Sequence, residues 1–150
     1  MSNSVFSAEH LLFTPVSPDR YAVPLIFAFP NEYTVGITSL GYQVVWATLA
    51  TRSDLDVSRL FTDVHESLPR NPELVGFSLS WELDYVNILN LLEFLEVPIR
   101  STARGDNDPL IFGGGPVLSA NPSHLLTFLM LFWWEMEKIC SAILSMLIKK

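Results

Sequence analysis

Gly113-Gly114-Gly115-Pro116 directly follows the apolar triplet Leu110-Ile111-Phe112. Three glycines at the end of such a run let a ligand approach the backbone with no Cβ in the way. The pattern is not a phosphate loop, because Pro116 removes a backbone donor and no lysine follows. The same residues also suit a plain tight turn. Ser78, Ser80, Trp81 and Glu82 bring two hydroxyls, a large aromatic ring and a carboxylate to the end of another apolar run. Together they can hold the edge of a planar cofactor or a polar side chain. Alternatively, Ser80 or Asp84 caps the following helix and Trp81 covers its base. His10 and His124 have no acidic or nucleophilic neighbour in sequence, and the chain carries no Ser-His-Asp elbow, paired carboxylates or HExxH. No catalytic residue is expected. The single cysteine, Cys140, forms no internal disulfide and cannot alone supply the ligands of a zinc site or an iron–sulfur cluster, so no metal ligand set is expected.

These groups belong to a chain of 150 residues that is 49% hydrophobic and 17% charged, enough apolar material for one domain with a real core. Its net charge of −7 repels phosphate backbones and anionic headgroups, which argues against nucleic acid as a partner. The start, Met1-Ser2-Asn3-Ser4-Val5, has neither a basic stretch nor a long apolar core, so a cytoplasmic location is expected.

The elements that must position the candidate groups alternate. Leu25-Ile26-Phe27-Ala28-Phe29, framed by Pro24 and Pro30, reads as a strand buried on both faces. Asn31 to Thr34 reads as a turn, and Ile37, Leu40, Val44, Val45 and Leu49 recur at helical spacing. Val57 to Phe61 suits a short strand, Leu68 to Pro72 a loop, and Leu74 to Ser80 a third strand. Leu83 to Leu95 predicts a second helix that ends at Val97-Pro98, where a fourth strand starts with Pro98-Ile99. Leu110 to Phe112 is the last strand. This order predicts an α/β fold, Rossmann-like and doubly wound around a mostly parallel sheet, with residues 1–19 as an N-terminal extension and 20–122 as the domain. In such sheets ligands sit beyond the carboxyl ends of the strands, where the strand order reverses. Pro30 to Gly36, Ser78 to Glu82 and Gly113 to Pro116 are therefore expected on one rim.

Three ordered segments, Ala28 to Val45 (AFPNEYTVGITSLGYQVV), Leu74 to Arg100 (LVGFSLSWELDYVNILNLLEFLEVPIR) and Pro109 to Pro122 (PLIFGGGPVLSANP), resemble the N-terminal region of cobalamin-binding-domain radical S-adenosylmethionine (SAM) proteins. The resemblance covers nearly all of residues 20–122. It implies a Rossmann-like domain that cradles a corrinoid beside a partial barrel carrying a 4Fe-4S cluster and S-adenosylmethionine. Carried over position by position, it assigns to the cofactor rim Pro30, Tyr33 and Gly36, then Ser78, Ser80, Trp81 and Glu82, then Gly113, Gly114, Gly115 and Pro116. Asp63-Val64-His65-Glu66-Ser67-Leu68 is superficially similar to the DxHxxG sequence by which some corrinoid domains present a histidine to cobalt. Leu68 replaces its glycine, however, and the segment follows the second strand, so His65 is not expected to be a ligand. The CxxxCxxC cluster motif of the family is missing, and radical chemistry is not expected of this chain alone. A downstream radical SAM domain is expected in intact relatives.

Residues 123–150 differ in composition. Six Arg and no Lys against fourteen acids give 6 − 14 = −8 for residues 1–122, whereas three Lys against two Glu give +1 beyond them. All seven Gly and ten Pro lie at or before Pro122. The apolar stretch Leu125 to Trp134 is about half of the roughly 20 residues that a membrane span needs, and a membrane partner is not expected. The family usually continues here with an acidic helix and a Gly-Asp-Gly-Glu turn. Permitted codons for Trp134 to Lys138 (TGG GAG ATG GAG AAA), read one phase over from the last base of the Trp133 codon, can encode Val-Gly-Asp-Gly-Glu. A frame slip near Pro122-Ser123 is accordingly expected, with a chain cut before its radical domain and a sheet left open at that side. Two functions compete: a corrinoid-binding module that is not catalytic by itself, and an interaction or scaffold domain of the same fold that binds no cofactor.

Overall fold

In the computed structural model of the protein, the described residues are 4–121, 123, 127 and 131–132. Their order is α1 (Ser4–Ser7), β1 (Val23–Ala28), α2 (Tyr33–Gly36), α3 (Leu40–Ala50), β2 (Leu55–Leu60), β3 (Leu74–Ser78), α4 (Tyr85–Phe94), β4 (Leu110–Gly114), α5 (Pro116–Ala120) and β5 (Leu131–Phe132). Short 3₁₀ turns span Glu82–Asp84 and Ser101–Ala103. The strands form one sheet in the order β2-β1-β3-β4-β5, and every pairing among them is parallel.

Side chains of the central strands alternate between two cores, as the period of two requires. Leu25 and Phe27 pack with Phe112 against Tyr42, Trp46 and Leu49 of α3. Ile26 and Ala28 pack with Val75, Phe77 and Ile111 against Ile88, Leu91 and Leu92 of α4. Helices α3 and α4 therefore cover opposite faces of one parallel sheet, the Rossmann-like α/β arrangement expected from the element order.

Several boundaries differ from the sequence reading. The helix expected from Ile37 onward is split into α2 and α3, and the Ser39 hydroxyl caps the second by accepting from the Tyr42 N–H. No strand forms at Pro98-Ile99. Pro98 lacks an N–H for a ladder, and Arg104 takes both carbonyls there, its Nε donating to Pro98 at 2.8 Å and its Nη2 to Ile99 at 2.8 Å. The sheet is not open beside β4, because Leu131 pairs with Phe112 and Phe132 with Gly113. Otherwise the tail, with the expectation of a frame slip, lies outside the described residues. The N-terminal extension is no loose appendage: Phe6 and Phe13 pack on the α3-side core.

The outer edge of β2 is also guarded at its carboxyl end. After Leu60 the chain turns back, Phe61 N–H donating to Val64 O and Glu66 N–H to Arg59 O, and Leu60 bridges His65 in antiparallel fashion. Among the described residues, no helix is long and apolar enough to cross a membrane.

Candidate functional site

Because all strands run the same way, the segments that follow β1, β3 and β4 leave from one edge of the sheet. From β1 the chain moves to β2 on one side and then crosses to β3 on the other, so the strand order reverses between β1 and β3. Two hydrogen bonds span this point. Asn31 Nδ2 donates to Asp84 Oδ1 at 2.9 Å, and Asn87 Nδ2 donates to the Pro30 carbonyl at 2.9 Å. Asp84 is buried, and its Oδ2 has no partner among the described residues. Burial pushes its carboxyl above the ordinary range, with the Asn31 bond acting in the opposite direction. Asp84 stands at the N-cap position of α4, yet its side chain does not cap the helix and turns to Asn31 instead. Ser80 does not cap it either.

The structure brings most of the predicted residues to this edge. Pro30 is buried there, and its carbonyl is held by Asn87. Ser78 is buried at the end of β3 in register with Gly114. Ser80 is half-buried, and Trp81 is 64% exposed beside the exposed Glu82. Gly113 and Gly114 are strand residues, and Pro116 opens α5. Of the three glycines, Gly115 needs its lack of a side chain most clearly. Its φ is +119°, and a Cβ would run into the Leu79 carbonyl oxygen. With Leu79 N–H donating to Gly114 O at 2.8 Å, the segments after β3 and β4 are interlocked.

Tyr33 and Gly36 serve a different neighbourhood. A Cβ on Gly36 would lie 2.5 Å from the Phe61 ring, so the glycine is there for packing. The Tyr33 ring meets Phe6 and Phe61 edge-on, and its hydroxyl donates to Glu9 Oε1 at 2.7 Å. Burial first, and then the bond to Glu9, push the phenol up to about 12.

Glu9 leads to an arrangement that the sequence reading missed. Arg59, on β2, is 2% exposed, and its guanidinium makes a two-pronged pair with Glu9 at 2.9 and 2.7 Å. It also bonds Glu66 Oε1 through Nε at 3.0 Å and Nη2 at 2.8 Å. Its central carbon lies 3.9 Å from the Trp46 ring centroid and 4.7 Å from that of Phe6. Burial alone pulls the Arg59 pKa down, but the bonds to Glu9 and Glu66 outweigh it and hold the group above its ordinary value. The hub ties the N-terminal segment to the sheet. The one available signal was an arginine inside the apolar run Val57-Ser58-Arg59-Leu60-Phe61.

Two hollows stand out, and neither is lined by Ser78–Glu82 or Gly113–Pro116. One, of about 440 Å³, lies between residues 9–13 and α3. The other, of about 420 Å³, lies beyond the end of β2 against α4 and includes His65 in its lining.

A family model described as radical SAM proteins, N-terminal, matches residues 53–150. No curated protein and no solved structure matches the chain.

Proposed function

This chain belongs to the family of radical SAM protein N-terminal regions, and on that premise we propose that residues 20–122 are a cobalamin-binding-type module that receives a corrinoid at the carboxyl rim of the sheet. The observation that carries the reading is the meeting of Pro30, Ser78, Ser80–Glu82 and Gly113–Pro116 at one edge, beside the reversal of strand order. The residues there fit a flat, amide-fringed ligand in three respects. Gly115 leaves the backbone open, Trp81 supplies an exposed aromatic face, and Asp84 Oδ2 is an acceptor in want of a donor. A bound corrinoid would supply cobalt chemistry, while this chain's own residues would bind and orient it. With Cys140 as its one cysteine, the chain has no three-cysteine cluster motif, and its part is binding and not catalysis. Radical chemistry then belongs to a partner domain that carries the iron–sulfur cluster and S-adenosylmethionine.

Titration with hydroxocobalamin tests the reading: a saturable change in the visible spectrum, weakened by Trp81→Ala, is expected. Exposure of Trp81, Leu83 and Val86 near the same rim favours a second reading, a scaffold domain that docks a protein there and binds no cofactor. Absence of a spectral change at high micromolar cobalamin selects that alternative.

A further inference from the structure

The hollow beyond β2 has a composition of its own. Leu60 and Leu91 form its apolar floor, and the rings of His65 and Phe94, 5.8 Å apart between centroids, form a lip. Among the described residues its polar lining is Thr62, Asp63, His65, Asn87 and Asn90, without a lysine or arginine. A volume of about 420 Å³ falls within the range of small-ligand sites and near its lower end.

The hydrogen-bonding state of this lining can be worked out atom by atom. His65 Nδ1 lies 2.7 Å from the Glu66 carbonyl oxygen, which can only accept, so Nδ1 carries the hydrogen and Nε2 of the neutral ring keeps a lone pair. Asp63 Oδ1 accepts from the Tyr33 N–H, and Oδ2 has no partner among the described residues. Asn87 has committed one N–H of its Nδ2 to Pro30, which leaves its carbonyl oxygen and one N–H. The Asn90 amide makes no hydrogen bond among the described residues, and Asn90 is exposed. Lone pairs therefore outnumber N–H and O–H donors in this lining, and among the described residues its one carboxylate, Asp63, is the only group there of fixed charge sign. Such a surface selects a neutral molecule with several donors and a flat ring, and it rejects phosphate.

We propose that this cavity binds a neutral nucleoside with an exocyclic amine. The base lies against the Phe94 ring and donates to His65 Nε2, the Asn90 amide reads its edge, and the ribose hydroxyls face Asp63 and Thr62. The inference does not depend on the corrinoid reading, which concerns the segments after β1, β3 and β4.

Calorimetric titration of the full chain with adenosine tests it. Saturable binding with a dissociation constant on the order of 0.1–1 mM is expected, and adenosine 5′-monophosphate should bind at least about tenfold more weakly because no cation meets its phosphate. Asn90→Ala and Phe94→Ala, both at exposed positions, should each weaken adenosine about fivefold or more, with circular dichroism unchanged. In the wild-type protein, adenosine should shift the side-chain amide signals of Asn90 and the ring signals of His65, a readout that needs no variant. No saturation by about 5 mM adenosine, equal binding of the monophosphate, or shifts confined to other parts of the molecule would each overturn the proposal. The dependence of hydroxocobalamin binding on Trp81, measured in parallel, reports on the rim, so the two readings can fail separately.

Discussion

Asn31 and Asp84 meet across the gap between the ends of β1 and β3, 53 positions apart in sequence, through a 2.9 Å bond from Nδ2 to Oδ1. The other oxygen of Asp84 is left without a donor, and the cost of that arrangement depends on pH. Burial raises the folded-state pKa of this carboxyl above its unfolded value, so the folded protein holds the proton more tightly. Stability is greatest below the unfolded carboxylate pKa, and part of it is lost as pH rises through the raised folded value. Asp84→Asn keeps an acceptor for Asn31 and removes the titration. The melting temperature of Asp84→Asn relative to wild type should therefore climb between acid and neutral pH. A difference that stays flat over that interval contradicts the assignment.

Arg59 is the opposite case, a buried charge with more bonds than most. Arg59→Met keeps an apolar stem between Phe6 and Trp46 but strands the Glu9 carboxylate, whose side chain is only 8% exposed. Removing one partner from such a hub costs about 3–5 kcal/mol. Chemical denaturation should show a loss of that size for Arg59→Met, and the double variant Arg59→Met, Glu9→Gln should recover part of it. A loss below about 1 kcal/mol, the scale of an exposed pair, would mean that the hub does not hold the N-terminal segment.

The Tyr33 phenol provides a spectroscopic reading of the same cluster. Its ionisation, followed by ultraviolet difference absorbance and assigned with Tyr33→Phe, should occur near 12. Glu9→Gln should lower it toward the ordinary tyrosine range, though burial keeps it above. An unchanged titration in Glu9→Gln would show that the hydroxyl does not donate to that carboxylate.

Gly115→Ala should be severely destabilising, because the new methyl meets a carbonyl oxygen at a backbone angle that L-residues avoid. A loss of about 3 kcal/mol or more is expected from the clash and the strain together. Replacement by alanine with little change in melting temperature would mean that the segments after β3 and β4 are not interlocked.

What could be read from the sequence divides along the reach of the interactions. The run Leu25 to Phe29 announced a central strand because burial on both faces leaves no polar position, and β1 spans Val23–Ala28. The convergence of the rim followed from strand order alone. The absence of a strand at Pro98-Ile99 was hidden, since it turns on where the Arg104 side chain goes. Asp84 looked like a helix cap because caps are local, whereas its actual partner, Asn31, is brought in by the fold. Glu9 and Arg59, 50 positions apart, could not be paired before the N-terminal segment had been placed on the α3 side of the sheet. Tyr33, assigned to the rim by resemblance, uses its hydroxyl in that same hub.

The turn-back of residues 61–66 along β2 has a consequence for self-association. A parallel sheet normally offers two flanks on which a second molecule could add its own strands, and here the carboxyl end of one flank, at Arg59 and Leu60, is already paired with the chain itself. Stacking of copies through successive flanks, the route to fibrils, thereby loses part of one of its two attachment points.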